Sequence, residues 1–316
     1  MARAFIFPGQ GAQAIGMGKA LAEAYPGAKA VFDEVDEALG ERLSTLIWDG
    51  EAETLTLTEN AQPALMATSL AAMRALEAEG ASIELAAFVA GHSLGEYSGL
   101  AAAGALSVAD TARLLRTRGR AMQQAVPVGQ GAMAALLGLD FETAAQVAAD
   151  AAQGQVCVAA NDNDPSQVVI SGHAEAVARA ADLAKEAGAK RALMLPVSAP
   201  FHCDLMAPAA EAMAEALAGV EIATPKVPVV ANVTAEAVSD PVKIRELLVE
   251  QVTHSVRWRE SVAWMAAQGV DETWEIGAGK ALSGMVRRIE KTIAVRAVGT
   301  PEDVSAAVES LAAAET

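Results

Sequence analysis

The sequence predicts a mixed α/β fold in which a large, discontinuous α/β domain is interrupted by a small inserted domain. Three observations carry this prediction. The chain of 316 residues is 53% hydrophobic and 20% charged but only 4% aromatic. Its core must therefore be mostly Ala, Leu and Val, which suits helices packed closely on a sheet. Short apolar runs alternate with helix-period stretches through the first 126 residues and again after residue 197. Between them the order of elements changes to β-α-β-β-α-β, the split βαβ or ferredoxin-like unit, and about 70 residues suffice for such an insert.

Residues 3–7 read as the first strand, ended by Pro8 and the loop Gly9-Gln10-Gly11. Helical periodicity follows at residues 19–25, 28–39 and 63–79. Residues 85–90 read as a short buried strand that runs into Gly91-His92-Ser93-Leu94-Gly95 and an Ala-rich helical stretch. Ser107 starts the next helix, with Asp110 three residues on as an acidic variant of the capping box. In the insert, residues 131–137 read as a strand and 141–152 as a helix. Strands at 156–160 and 167–171 are split by the turn-rich Asn161-Asp162-Asn163-Asp164-Pro165. A helix at 174–187 and a strand at 191–197 complete it. After Ser198 the alternation resumes, with strands expected at 227–232, 272–276 and 292–298. The expected large domain is thus 1–126 with 198–316, and the small one 127–197.

Charge and cysteine usage narrow the function classes. A net charge of −17 without a Lys/Arg run opposes binding to nucleic acid or to anionic membranes. Cys157 and Cys203 are too few and too isolated for a disulfide framework, and no CxxC or Cys/His spacing suggests zinc. The apolar run at the N-terminus is too short for a signal peptide, and no stretch is long and apolar enough to span a bilayer. The expectation is a cytoplasmic monomer.

Gly91-x-Ser93-x-Gly95 matches the nucleophile elbow, a sharp strand-to-helix turn with the serine at its tip. Alone the pattern is weak, since chance places it in roughly one chain in ten at ordinary Gly frequencies. The apolar run before it and the helical stretch after it supply the context that the mechanism needs. A serine also needs a base, and the chain has four histidines. His92 adjoins the serine and should point away from it. His173 stands at a helix start, and His254 sits among polar residues past a helix end. His202 lies in Ser198-Ala199-Pro200-Phe201-His202, a loop at the junction with the insert, where clefts form. It is the preferred base. Cys203 has no elbow, and Cys157 reads as core.

At this point five motifs in order resemble one family. Phe7-Pro8-Gly9-Gln10-Gly11, Gly91-His92-Ser93-Leu94-Gly95-Glu96-Tyr97, Arg118-Gly119, Phe201-His202 and Glu275-Ile276-Gly277 follow the pattern of the malonyl-CoA:acyl carrier protein transacylases. The acyltransferase domains of polyketide and fatty-acid synthases share it. The resemblance implies an α/β-hydrolase-like large subdomain with a ferredoxin-like insert. It implies that Ser93 is acylated, that His202 is its base, and that the backbone N–H groups of Gln10 and Leu94 form the oxyanion hole. Arg118 matches the arginine that grips the free carboxylate of malonate, with Met122 one helical turn beyond it. Gln251 matches the position supporting the histidine, a neutral acceptor where serine hydrolases normally use Asp or Glu. Phe201 corresponds to a position where Phe accompanies malonyl and smaller residues accompany branched acyl groups. Glu96 and Tyr97 extend the match without an assigned chemistry.

The resemblance further implies malonyl-CoA and the phosphopantetheine thiol of acyl carrier protein as substrates, with no metal or bound cofactor. Two other functions stay open on the residues alone. A serine esterase or thioesterase would use the same elbow with water as acceptor. A scaffold would keep the fold without acylating Ser93. The carrier is expected to be acidic, so a basic patch must receive it. Lys185, Lys190 and Arg191 are one candidate, and Lys280, Arg287, Arg288 and Lys291 the other.

Overall fold

In the computed structural model, which describes residues 2–197 and 199–314, alternating side chains of the first strand bury both faces of a sheet. The strands of the chain are β1 (Ala2–Phe7), β2 (Phe88–Gly91), β3 (Gly131–Leu137), β4 (Cys157–Asp164), β5 (Gln167–His173), β6 (Arg191–Met194), β7 (Val229–Val230), β8 (Ala237–Val238), β9 (Val270–Ile276) and β10 (Ala294–Val298). Phe5 and Phe7 of β1 face a core built on the helix Thr58–Ala78, while Ala4 and Ile6 face Trp258, Val262 and Val286 on the other side. A strand buried on both faces reads as a continuous apolar run, which is why residues 3–7 were legible without alternation.

Among the described residues the large sheet has the order β10-β9-β1-β2-β7-β8. Its pairs are parallel except β7 with β8. The second sheet, β4-β5-β3-β6, is antiparallel. The helices Phe141–Ala152 and Ala174–Glu186 cover one face with a separate small core that includes Leu136, Val147, Ile170 and Val177. The mixed α/β architecture with a smaller antiparallel unit is the one that the sequence predicted. Ser198, the expected boundary after the insert, lies outside the described residues, as do Met1, Glu315 and Thr316.

Several elements depart from expectation. The helix expected from residue 63 starts at Thr58, with Pro63 inside it. Proline there forfeits one helical hydrogen bond, and burial of nearly every residue from Ala61 to Leu76 holds the helix together. Two short helices, Leu43–Asp49 and Ala52–Thr56, were not anticipated. Residues 83–85 form a 3₁₀ turn, so β2 begins at Phe88. The strand expected at 191–197 ends at Met194, and the one at 227–232 shrinks to Val229–Val230.

The largest correction concerns Asn161-Asp162-Asn163-Asp164, expected as a turn. It is the end of β4, and all four residues are buried. Their polar side chains meet the large unit: Asp162 pairs with Arg259 at 2.9 Å and Asp164 with Arg288 at 2.8 Å. The main chain joins as well, with Asp162 N–H donating to the Val256 carbonyl and Val256 N–H to that of Ala160, both at 2.9 Å. The small unit is thereby fastened across the large one.

Candidate active site

Adjacent parallel strands place two loops side by side. Phe7 of β1 pairs with Gly91 of β2, so Pro8-Gly9-Gln10-Gly11 and the serine elbow leave the same edge of the sheet, where α/β folds keep their clefts. Ser93 has φ 53° and ψ −110°, backbone that a non-glycine residue adopts only when its surroundings force it. The flanking glycines permit the turn. A Cβ on Gly91 would lie 1.9 Å from the Gly95 carbonyl carbon, and one on Gly95 would lie 2.2 Å from the Phe7 oxygen. Asn232, just past β7, holds the elbow from below. Its Oδ1 accepts from Ser93 N–H at 2.8 Å, and its Nδ2 donates to the Gly91 carbonyl at 2.6 Å.

His202 lies 2.8 Å from Ser93, Nε2 to Oγ. Its backbone also has positive φ, 58°. Nδ1 donates to the Gln251 backbone carbonyl at 2.9 Å, which leaves Nε2 as the acceptor facing the serine. Burial lowers the pKa of His202 to about 3, with the Arg118 charge acting in the same direction and the Gln251 bond opposing both. The imidazole is therefore neutral at physiological pH.

Gln251 was expected to support the histidine, and its side chain does something else. The support comes from its carbonyl, because this residue caps the helix Pro241–Glu250. The buried side chain Nε2 donates to Glu96 at 2.8 Å and to the Ser93 carbonyl at 3.1 Å, while Oε1 accepts from Arg118 at 2.8 Å. Glu96 also accepts from Asn232 N–H at 3.0 Å. Burial raises its pKa to about 7 against the opposing pull of these bonds and of Arg118.

Arg118 is 1% exposed, on the helix Val108–Gln124. One terminal nitrogen donates to Gln62 at 2.8 Å, and the other reaches Gln251 and, at 3.1 Å, Ser93 Oγ. Nε has no partner among the described residues. Arg113 and Arg120 pair instead with Asp110 and Glu59, and Arg116 with Asn60 and Glu41. One arginine of the four therefore faces the serine.

These groups open on a cavity of about 290 Å³ lined by Gln10, Ser93, Leu94, Arg118, Met122, Phe201 and His202 among others. Leu94 is the first residue of the helix Leu94–Ala102, and N–H groups of a first turn have no acceptor within their helix. Asn161 and residues 195–197 add a wall from the insert.

The other candidates fall elsewhere. His92 is half-buried and bonds Asn163 at 2.8 Å. His173 accepts from Val156 N–H, and His254 is an exposed partner of the Glu250 carbonyl. Cys203 is buried, its thiol donates to the Pro200 carbonyl, and burial raises its pKa. Cys157 is pushed up to about 11 by burial. Arg288 is committed to Asp164 and Lys185 to Asp182. No cluster of three or more His, Cys, Asp or Glu that could hold a metal occurs among the described residues. None of their helices is long and apolar enough to cross a membrane.

Sequence reasoning gave no role to Gln62, Asn232 or Glu96. Only Glu96 carried a signal, its place beside the elbow.

The chain matches the acyl transferase domain family over residues 4–292. It is 49% identical to the malonyl CoA-acyl carrier protein transacylase of Bacillus subtilis, covering 98% of this chain and 96% of that protein. The acyl-carrier-protein S-malonyltransferase of Bartonella henselae superposes with a TM-score of 0.96 at 55% identity, over 99% of this chain and 100% of that one. A malonyl-transacylase solved in complex with a type II polyketide synthase acyl carrier protein gives a TM-score of 0.95 at 43% identity, over 98% and 100% of the two chains.

Proposed function

The chain belongs to the acyl transferase family, and from that premise we propose that it moves a malonyl group from malonyl-CoA to the phosphopantetheine thiol of acyl carrier protein through a malonyl ester on Ser93. The observation that carries this reading is a buried arginine within hydrogen-bonding distance of the nucleophile, on a serine that also meets a neutral histidine. A hydrolase has no use for that cation. An acyl group ending in a carboxylate does, because a guanidinium binds it through two parallel hydrogen bonds.

His202 Nε2 takes the proton of Ser93, and Oγ attacks the thioester carbonyl. The N–H groups of Gln10 and Leu94 receive the oxyanion. Collapse releases the coenzyme A thiol, which leaves with the proton carried by His202. In the second half the carrier thiol gives its proton to His202, the sulfur attacks the ester, and Ser93 departs with that proton. The imidazolium formed on the way is stabilised by a neutral carbonyl rather than a carboxylate. A thioester is activated enough for this weaker assistance. Arg118, whose terminal nitrogen lies 3.1 Å from Ser93 Oγ, pairs its guanidinium with the malonyl carboxylate, while Met122 and Phe201 close the apolar side. With the wall from the insert they limit water at the ester. The reaction needs no further cofactor. It serves fatty-acid synthesis in the cytoplasm, with the enzyme as a monomer.

Intact mass after brief mixing with malonyl-CoA tests the reading. Wild type gains one malonyl group, Ser93→Ala gains none, and carrier protein discharges the adduct. Rapid loss to free malonate irrespective of carrier would favour the hydrolase, and no adduct at all the scaffold.

A further inference from the structure

A chain of side-chain hydrogen bonds leads from Arg118 to Gln10, another residue of the cavity lining. Arg118 donates to Gln62 Oε1 at 2.8 Å. Gln62 Nε2 donates to Thr58 Oγ1 at 3.0 Å, and Thr58 Oγ1 donates to Gln10 Oε1 at 2.8 Å. Every donor points the same way, from the cation towards the loop after β1, so the bonds polarise one another. Thr58 and Gln62 are 3% and 1% exposed, and both stand on the first two turns of the helix Thr58–Ala78. The backbone on which the chain hangs is fixed. A Cβ on Gly119, next to Arg118, would lie 2.5 Å from the Glu59 Cα and 2.7 Å from the Thr58 oxygen. The helix carrying Arg118 is thus pressed against the residues that begin the helix Thr58–Ala78.

We infer that Thr58 and Gln62 are positioning residues that set the spacing between the carboxylate seat at Arg118 and the oxyanion seat at Gln10, and so select the length of the acyl group. The inference rests on the proposed function. A malonyl group is held at both ends, its carboxylate at Arg118 and its thioester oxygen at the N–H of Gln10. Only such a substrate senses the distance between the seats. An acetyl group is held at the thioester end alone. Gln10 itself is exposed, and the bond from Thr58 anchors its side chain, so the hydroxyl is what ties this loop to the arginine.

Thr58→Val removes the hydroxyl with little change of shape. Misplacement of a reacting group by an ångström can slow a reaction about a hundredfold. The expected result is a fall of roughly 10- to 100-fold in the single-turnover rate of Ser93 malonylation, with KM for malonyl-CoA changed less than about threefold. Acetylation from acetyl-CoA stays within about threefold of wild type, and the preference for malonyl-CoA over succinyl-CoA narrows. Thr58→Ser restores the malonyl rate. Gln10→Leu, which keeps the loop's N–H, reproduces the defect, and the double variant adds nothing to it, as residues acting as one unit require. Equal losses for malonyl and acetyl groups in both single variants would mean a merely structural role and overturn the inference. So would a malonyl rate within about twofold of wild type. If wild type forms no malonyl-Ser93, the proposed function falls first. If it does and Thr58→Val acts as wild type, only the spacing role falls.

Discussion

His202 should make this protein sensitive to acid, and His202→Asn should remove much of that sensitivity. In the unfolded chain the imidazole has its ordinary value of 6.5, and burial in the fold lowers it to about 3. The unfolded state therefore takes up this proton first as pH falls, so stability drops from pH 6.5 downward and the loss ends near pH 3. A tenfold difference in proton affinity between the two states is worth about 1.4 kcal/mol. Between pH 7 and pH 4 most of the interval separating the two values is traversed, and this single group removes about 3 kcal/mol of folding free energy. Asparagine is the informative replacement. It tolerates the positive φ of 58° at this position, and its amide can still donate toward the Gln251 carbonyl, but it does not titrate. Carboxylates elsewhere titrate alike in both proteins and cancel in the difference. Urea unfolding of wild type and variant at pH 7 and pH 4 measures it. The wild type should lose about 3 kcal/mol more than the variant over this interval. Equal losses would refute the reasoning, because they would mean that His202 is not held neutral by the fold.

Further consequences follow from the same contacts. Arg118→Ala should cut single-turnover malonylation of Ser93 by at least about a hundredfold while sparing acetylation, since a buried charge-assisted pair is worth several kcal/mol; parallel mass assays with the two thioesters decide it. Glu96→Leu strips Gln251 Nε2 and Asn232 N–H of an acceptor, costing about 1–3 kcal/mol for each orphaned donor. Thermal melting should show Glu96→Gln, which keeps a carbonyl there, much closer to wild type. Arg259→Ala leaves the buried Asp162 unpaired, whereas Asp162→Asn leaves only a part-exposed arginine. The first should therefore be the more destabilising, by about 2 kcal/mol or more in urea titrations. Lys280→Glu with Arg287→Glu, both on exposed positions, should raise KM for the carrier protein and leave acylation by malonyl-CoA unchanged in steady-state assays.

The elbow was legible because its requirement is local. A serine at φ 53° between two residues whose Cβ atoms would collide with backbone leaves glycines in the sequence at fixed offsets. The small antiparallel unit was legible for a similar reason, since its β-α-β-β-α-β order is written along the chain. What escaped depends on partners far off in sequence. Asn161-Asp162-Asn163-Asp164 has turn composition, and it is a strand because Arg259, His92 and Arg288 lie 97, 71 and 124 residues away to receive its side chains. The support of His202 escaped more completely. A backbone carbonyl has no residue type, so the position of the glutamine could be matched while the atom through which it acts stayed hidden. Arg118 shows where the boundary falls. Four arginines crowd one helix, and nothing in their spacing marks the one that turns inward. Three of them meet carboxylates or amides, two of the three on other elements. The fourth meets Gln62, Gln251 and Ser93, at sequence separations of 56, 133 and 25. The sign of the charge needed in the cavity can be inferred from chemistry. Which residue supplies it is decided by packing, and Gly119, pressed on Thr58 and Glu59, is the trace that this packing leaves in the sequence.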